Sequence, residues 1–580
     1  MIKRALNKIK KVRFLIVFLA LGTYAFLSFS FTDNYFEISK NLDIFSTVLR
    51  ELDLYYVDSI RPADLVRTGI DAMLTSLDPY TDYIPESEIE DYKFMTTGEY
   101  GGVGSLIQQD SDCIEVAEPY EGSPAAKAGL IAGDKIMSID GIPTKGKNTT
   151  DIGKLLKGAP GTSVKLVIIH PGSNASVEKT IVREVIKVDN VPYYGMVSND
   201  IGYIRLNEFT EDAGKNVRNA LVELKKNPAL KGVILDLRNN PGGLLNEAIG
   251  VVNVFEPKGQ LVVNTKGRMK EWNHTDLTPG DPIDTTIPVA VLVNSGSASA
   301  SEIVTGTIQD LDRGVIIGTR SYGKGLVQQT RPLSYDAQLK FTIAKYYIPS
   351  GRCIQALDYS HRNADGSVSK VADSLKMAFR TRHGRVVYDG GGIDPDLNME
   401  TPKFNVITVK LESSPQYTIF HYVTSYVLEH PTIASPDKFS LSDEEYDKFV
   451  AYAKSQSFVY TTKSEQLLGQ LKESTQSEKY FDDLKDAYNK IKSDIEEAKK
   501  NDFYKNKKEI KEVLESEIIS RYYYQKGRIQ LDLRFDDEVT KAVDVLNNKS
   551  LYDSTLTTIV PAIRPFKDMS MTTWPPVHKG

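Results

Sequence analysis

Four near-continuous apolar runs dominate the middle of the chain: IGYIRL (201–206), GVILDL (232–237), PVAVLV (288–293) and GVIIG (314–318). Runs of this length without polar alternation are the pattern of strands buried on both faces. Segments such as VRNALVELKK (217–226) separate them and carry apolar residues at helical spacing. The alternation over 201–350 predicts an α/β core with a largely parallel sheet. Residues 98–186 differ. Short β-like pieces (CIEVAEP, DKIMSIDG, SVKLVIIHPG, KTIVREVI) follow one another between turns. Two short helical pieces, SPAAKAGL and TTDIGKLLKG, interrupt them, which predicts a small β-rich domain.

Before this domain, residues 38–76 predict helices: Ile44, Val48 and Leu52 recur at helical spacing, and LVRTGIDAMLTSL repeats the pattern. LDPYTDYIP (77–85) ends the region in turn residues. Beyond about residue 400 the chain turns highly charged. EQLLGQLKES, YFDDLKDAYNKIKSDIEEAKK and NKKEIKEVLESEIISRYYYQKG place apolar residues at three- and four-residue steps, with acids and bases on the other faces. This pattern predicts a solvated helical appendage. The boundaries that follow are 1–33, 34–97, 98–186, 187–404 and 405–580.

The first of these segments changes the picture most. MIKRALNKIKKVR carries only basic charge, and FLIVFLALGTYAFLSFSF (14–31) carries none. That is close to a membrane-spanning length, with a flank that stays cytoplasmic. No clear small-x-small cleavage site follows, so an uncleaved anchor is favoured over a cleaved signal peptide. Everything after Asp33 is then exported. In a Gram-negative cell it would stand on the periplasmic side of the inner membrane, anchored by 14–31 or released if that segment is cut. The composition is otherwise that of a globular protein, 41% hydrophobic and 26% charged. A net charge of −6 gives no reason to propose nucleic acid as a partner. Two cysteines, Cys113 and Cys353, cannot build a disulfide framework and are expected to be buried, inert thiols.

Candidate chemistry begins at NSGSASASEI (294–303), where Ser295, Ser297, Ser299 and Ser301 stand at every second position. The run lies between the strand PVAVLV and the predicted helix SEIVTGTIQDL. A hydroxyl at a helix N-terminus meets free backbone N–H groups, which favour the oxyanion of acyl transfer. A nucleophile there needs a base. None of the seven histidines lies in a Gly-rich turn at the end of a predicted core strand. Lys324, in RSYGKGLVQQ directly after GVIIG, is the alternative. A lysine can act as a base only when neutral, and burial favours that form. GTRSYGKG also approaches the phosphate-binding loop pattern. However, Gly325 replaces the metal-binding hydroxyl, and AQLKFTIAKYYI beyond it alternates like a strand. Nucleotide binding is therefore set aside.

Together, NSGSASASEIVTGTIQD, GTRSYGKGLVQ, LDLRNNPGG (235–243) and LDPYTDYIP resemble the C-terminal processing peptidases, or tail-specific proteases. GGVGSLI and YEGSPAAKAGLIAGDKIMSIDG resemble that family's PDZ domain, so the resemblance spans roughly residues 40–400. It implies a mixed α/β peptidase core with an inserted PDZ domain at 98–186. It places the nucleophile at Ser299, the lysine base at Lys324 and the assisting glutamine at Gln328. It further implies an oxyanion hole from the N–H of Ala300 with one from Gly242 or Gly243, and possible structural support from Asp310. Ser321 stands where the family more often has Thr. For the PDZ domain it implies a carboxylate-binding loop at Tyr100, Gly101, Gly102, Val103 and Gly104, with an apolar pocket at Leu106. It calls for no metal, nucleotide or organic cofactor. The implied partners are proteins with exposed, apolar C-termini. The resemblance does not extend to residues 405–580, whose role stays open between self-association as a homo-oligomer and docking of a partner. The competing expectation is a non-catalytic PDZ scaffold on a dead peptidase fold.

Overall fold

The computed structural model describes residues 35–363, 365–401, 403–413, 415–559 and 561. It is a mixed α/β, multidomain structure. The N-terminal unit, up to Tyr83, holds a helix over 35–55 and a second over Pro62–Thr75, as the apolar spacing predicts. The apolar run 14–31 lies outside the described residues. No helix among the described residues is long and apolar enough to cross a membrane.

In the second unit the four apolar runs form neighbouring strands of one sheet. Its order is β1 (Tyr193–Met196), β2 (Ile201–Arg205), β3 (Gly232–Asp236), β4 (Val289–Val293), β5 (Val315–Gly318) and β6 (Leu397–Asn398). Only β1 runs antiparallel to its neighbour; β2 to β6 are parallel. Alternate side chains serve opposite faces, as strand geometry requires. Ile204, Val233, Leu235, Val291 and Ile316 pack under helices α1 (Ala213–Leu224), α2 (Leu245–Phe255) and α3 (Ala300–Asp310). Tyr203, Ile234, Leu292 and Ile317 pack into a separate core on the other face.

The cover of that second face differs from the expectation of a solvated appendage. Val539, Ala542, Val545 and Leu546 of helix α4 (Asp537–Asn547), with Tyr552 and Leu556 of α5 (Lys549–Thr557), complete it. Helices α4 and α5 therefore belong to the peptidase core. Residues between β6 and α4 form a helical lobe with its own core, including Tyr446, Phe449, Leu514 and Ile518. Amphipathic spacing identifies these helices but not the surface on which each apolar stripe packs.

The β-rich domain has a sheet in which Ser105–Asp110 is an edge strand, paired only with Cys113–Pro119. Helix Thr149–Leu156 packs beside that edge. A smaller sheet centred on Gln338–Tyr347 carries Leu326–Pro332, which follows Lys324. Neither cysteine is in a disulfide, and both are only partly buried rather than fully so as expected.

Phe449 is fully buried, with its ring edge-on to Tyr422 at 5.2 Å. Truncation there removes a ring packed among Tyr422, Tyr446 and Phe503. Phe449→Ala is expected to lower the stability of the helical lobe by about 3–5 kcal/mol, read as a downshifted transition in calorimetry.

Candidate active site

Parallel pairing of β3, β4 and β5 brings their C-terminal ends side by side. The turns leaving these ends carry LDLRNNPGG, NSGSASA and GTRSYGKG, so three segments far apart in sequence meet at one edge. In the serine run, the Ser297 hydroxyl donates to the Leu237 carbonyl (2.8 Å) and the Ser301 hydroxyl to the Asn240 carbonyl (2.9 Å). Both side chains are fully buried. Ser295 is exposed. Ser299 alone holds the N-cap position of α3, with φ 53° and ψ −112°. Non-glycine residues seldom occupy a positive φ, and such strain concentrates at functional sites.

Glu302, one turn into α3, fastens this turn to the lysine loop. Its Oε2 accepts from the backbone N–H of Ser299 (2.9 Å) and of Lys324 (2.9 Å). Its Oε1 accepts from the Ser321 hydroxyl (2.5 Å) and the Gly323 N–H (2.6 Å). The Tyr346 hydroxyl adds a second link, donating to the Lys324 carbonyl (2.6 Å) and reaching the Ser299 carbonyl at 3.2 Å. Glu302 is fully buried, and burial pushes its carboxyl up to about 7 against the pull of its four donors. Ser321 keeps the hydroxyl this bond needs and also accepts from the Ile393 N–H (2.7 Å).

The NNPGG turn packs directly on the serine. A Cβ added to Gly242 would lie 2.8 Å from Ser299 Cβ and 2.9 Å from the Ala300 nitrogen, and its φ is +101°. Only glycine fits there. Asn240 holds the turn in place: its carbonyl accepts from Ala298 N–H (3.0 Å) and its Oδ1 from Gly242 N–H (2.9 Å). The N–H of Gly242 is thus engaged within its own turn. Gly243 bridges to Phe209.

The other predicted residues fall as follows. Gln328 lies at a bulge in Leu326–Pro332 and donates to the Thr342 hydroxyl (3.3 Å). Asp310, at the far end of α3, is buried and binds Arg352 (2.8 Å) and the Ser350 N–H (2.9 Å), a structural pairing. Tyr100, Gly101 and Gly102 lie in strand Glu99–Gly102, paired with Glu184–Lys187, where a loop is expected. A Cβ on Gly101 would sit 2.2 Å from the Gly158 carbonyl oxygen, so these glycines serve close strand approach as well. Val103 is buried, Gly104 has φ +74°, and Leu106 is 48% exposed on the edge strand. Five histidines are engaged elsewhere: His170 with Asp134, His361 with Asp358, His383 with the Leu556 carbonyl, His421 with Asp110 and His430 with the Tyr426 carbonyl.

Sequence reasoning missed Glu302, Asn240 and Tyr346. Glu302 does stand three residues after Ser299, the spacing of a capping box, but that spacing occurs at many helix starts. It also missed Arg238 and Asp236. Asp236 is fully buried and accepts from Tyr203 Oη (2.7 Å), Arg205 Nη1 (2.8 Å) and Arg238 Nε (3.0 Å). Burial alone would raise its carboxyl, but Arg238 and Arg205 hold it well below the usual range.

Comparisons with family models match three parts of the chain. Residues 200–359 match the model of peptidase family S41, and residues 115–169 match that of a PDZ domain. Residues 407–546 match the model described as "Probable PDZ-protease, C-terminal helical domain". A carboxy-terminal-processing protease of Bartonella bacilliformis is 39% identical over 355 residues, which are 60% of this chain and 81% of that protein. A "Probable CtpA-like serine protease" of Staphylococcus aureus is 32% identical over 374 residues, 64% of this chain and 67% of that one. Among solved structures, the photosystem II D1 C-terminal processing protease shares 27% identity, with a TM-score of 0.34 over 61% of this chain and 86% of that chain.

The raised carboxyl of Glu302 has a definite sign. Between its ordinary value of 4.5 and about 7, the folded protein binds more protons at this group than the unfolded chain does. This contribution to stability is therefore complete below 4.5, declines as pH rises and is lost above about 7. Wild type is expected to lose roughly 3 kcal/mol relative to Glu302→Gln across that interval, measured by denaturant unfolding at a series of pH values.

Proposed function

The chain belongs to peptidase family S41, and from that premise we propose that it is an exported serine endopeptidase that cuts proteins captured by their apolar C-terminal tails. The observation that carries the reading is the convergence of the Ser299 and Lys324 backbone nitrogens on one oxygen of Glu302. A shared, buried acceptor holds the two segments in one register. In this reading Lys324, neutral when active, takes the proton from the Ser299 hydroxyl as its oxygen attacks the scissile carbonyl. The tetrahedral oxyanion is held by the N–H groups of Ala300 and Gly243, since the Gly242 N–H is bound to Asn240. Collapse expels the leaving amine, which takes the proton from Lys324. A water then attacks the acyl-enzyme with the same lysine as base and frees Ser299. Gln328, on the strand that follows Lys324, orients the amine or the substrate.

Tail capture is proposed for the β-rich domain. An incoming chain end can pair with the edge strand Ser105–Asp110, beside helix Thr149–Leu156. The half-exposed Leu106 side chain offers an apolar contact, and Val103–Gly104 is the remaining loop for the terminal carboxylate. Export rests on residues 14–31 and their basic flank.

Three proteins decide the dyad: wild type, Ser299→Ala and Lys324→Arg, each given a protein substrate with an apolar tail. Arginine keeps the charge but cannot lose its proton, so it cannot serve as a base. Lys324→Arg is expected to lose at least about 10²-fold in kcat. Ser299→Ala is expected to bind the tail without releasing product. Equal product from all three would end the dyad reading, and wild-type binding without cleavage would favour a scaffold.

A further inference from the structure

Arg238 begins the NNPGG turn, and its guanidinium is gripped from two directions. From its own strand end, Asp236 accepts from Nε and Nη2. From the end of the chain, Asp536 lies 2.7 Å from Nη2 and Glu538 accepts from Nη1 at 2.6 Å. The two acids stand where the helical lobe returns to the core, nearly three hundred residues further along the sequence. Asp536 does not swing freely, because its Oδ1 caps α4 by accepting from the N–H of Glu538 (2.9 Å) and Val539 (3.0 Å). Glu538 is 6% exposed, and the Arg238 side chain is 13% exposed.

Charge explains why the second grip matters. Without the lobe's acids, Arg205 and Arg238 share one buried carboxylate, Asp236, which leaves a buried cation undercompensated. Asp536 and Glu538 supply the missing negative charge. They are not needed to dock α4, since Val539, Ala542, Val545 and Leu546 already bury its apolar face on the sheet. A buried ion cluster is a poor source of stability against apolar packing, whereas it imposes a single geometry. The geometry imposed here is that of the Arg238 backbone. Its carbonyl accepts from Arg205 Nη2 (3.0 Å) and its N–H donates to Asp236 Oδ1 (2.9 Å). Asn239 follows with φ 59°, its N–H held by Asn294 Oδ1 (2.9 Å), and then come Asn240, Gly242 and Gly243 against Ser299.

We propose that Asp536 and Glu538 are positioning residues for the reaction: acting through Arg238, they fix the glycine turn that faces Ser299, so the C-terminal lobe sets the rate of acyl transfer. This rests on the Ser299 and Lys324 reading above. The test uses the full chain and two substrates, an apolar-tailed protein and an activated ester of a short peptide without a tail. The variant Asp536→Asn with Glu538→Gln keeps the cap and the volume but removes both charges. It is expected to lower kcat about 10- to 100-fold on both substrates, with KM for the tailed protein within about threefold. Amide exchange over 238–243 should quicken while that of Lys507–Asp532 stays as in wild type. Glu538→Asp, which keeps a carboxylate, should retain more activity than Glu538→Gln. Unchanged kcat overturns the proposal, as does a fall that tracks the loss of folded protein or leaves exchange over 238–243 unaltered. A wild type that cleaves neither substrate overturns this proposal together with the dyad reading. An active wild type with an equally active double variant overturns this one alone.

Discussion

The carboxylate of Glu302 is the constraint on which the site depends. Parallel strands place the ends of β4 and β5 side by side, but adjacency alone leaves each following turn free to find its own conformation. A buried carboxylate removes that freedom, because isolating it from water is costly unless its lone pairs are filled. Two donors come from the lysine loop's backbone, one from Ser321 and one from the serine turn. Displacing either segment would strand a charge or force a proton onto it. The positive φ of Ser299 is strain that such a fixed neighbourhood can sustain.

The same logic extends to the third turn. Asn240 accepts from the serine run and donates to the Leu206 carbonyl (2.8 Å), so the glycine pair is fixed to β2 and to Ser299 at once. Arg238 ties the start of that turn to the N-terminus of helix α4. Each turn therefore depends on polar contacts from a segment remote in sequence, and no local propensity could hold it alone. Within this layout the difference between Gly242 and Gly243 is physical. The Gly242 N–H already closes a short loop on Asn240 Oδ1.

Legibility in the sequence followed the range of the responsible interaction. The sheet was readable because strands buried on both faces leave unbroken apolar runs, and GVILDL and PVAVLV became β3 and β4 almost to the residue. Local patterns drew attention to the serine run and to the glycine-flanked Lys324, but only the family resemblance chose Ser299 among the four hydroxyls. Glu302 was not, since a glutamate three positions into a helix is an ordinary cap until the loop that meets it is known. Tyr100–Gly102 misled for the opposite reason: a glycine-rich stretch suggests a loop, whereas here the glycines permit strand pairing close to Gly158. Charge misled at the C-terminus. The exposed hairpin of Lys463–Ser477 and Phe481–Lys499 fits a solvated appendage. Helix α4 shares its amphipathic style yet packs on the second face of the sheet.

That cover has a consequence for assembly. The face built from Tyr203, Ile234, Leu292 and Ile317 is apolar, and much of its packing comes from residues 539–556. Five of the six sheet strands are complete by residue 318, but the second layer arrives only after the whole lobe has been made. Contacts of such long sequence separation form late, because loop closure precedes any reward from burial. The lobe eases the problem by folding around its own core, which draws its two ends together and shortens the effective loop between β6 and α4. The charged cluster at Arg238 then has a natural place in the sequence of events. Its acids reach the core only when α4 docks, so the turn facing Ser299 is completed by the same step that closes the sheet.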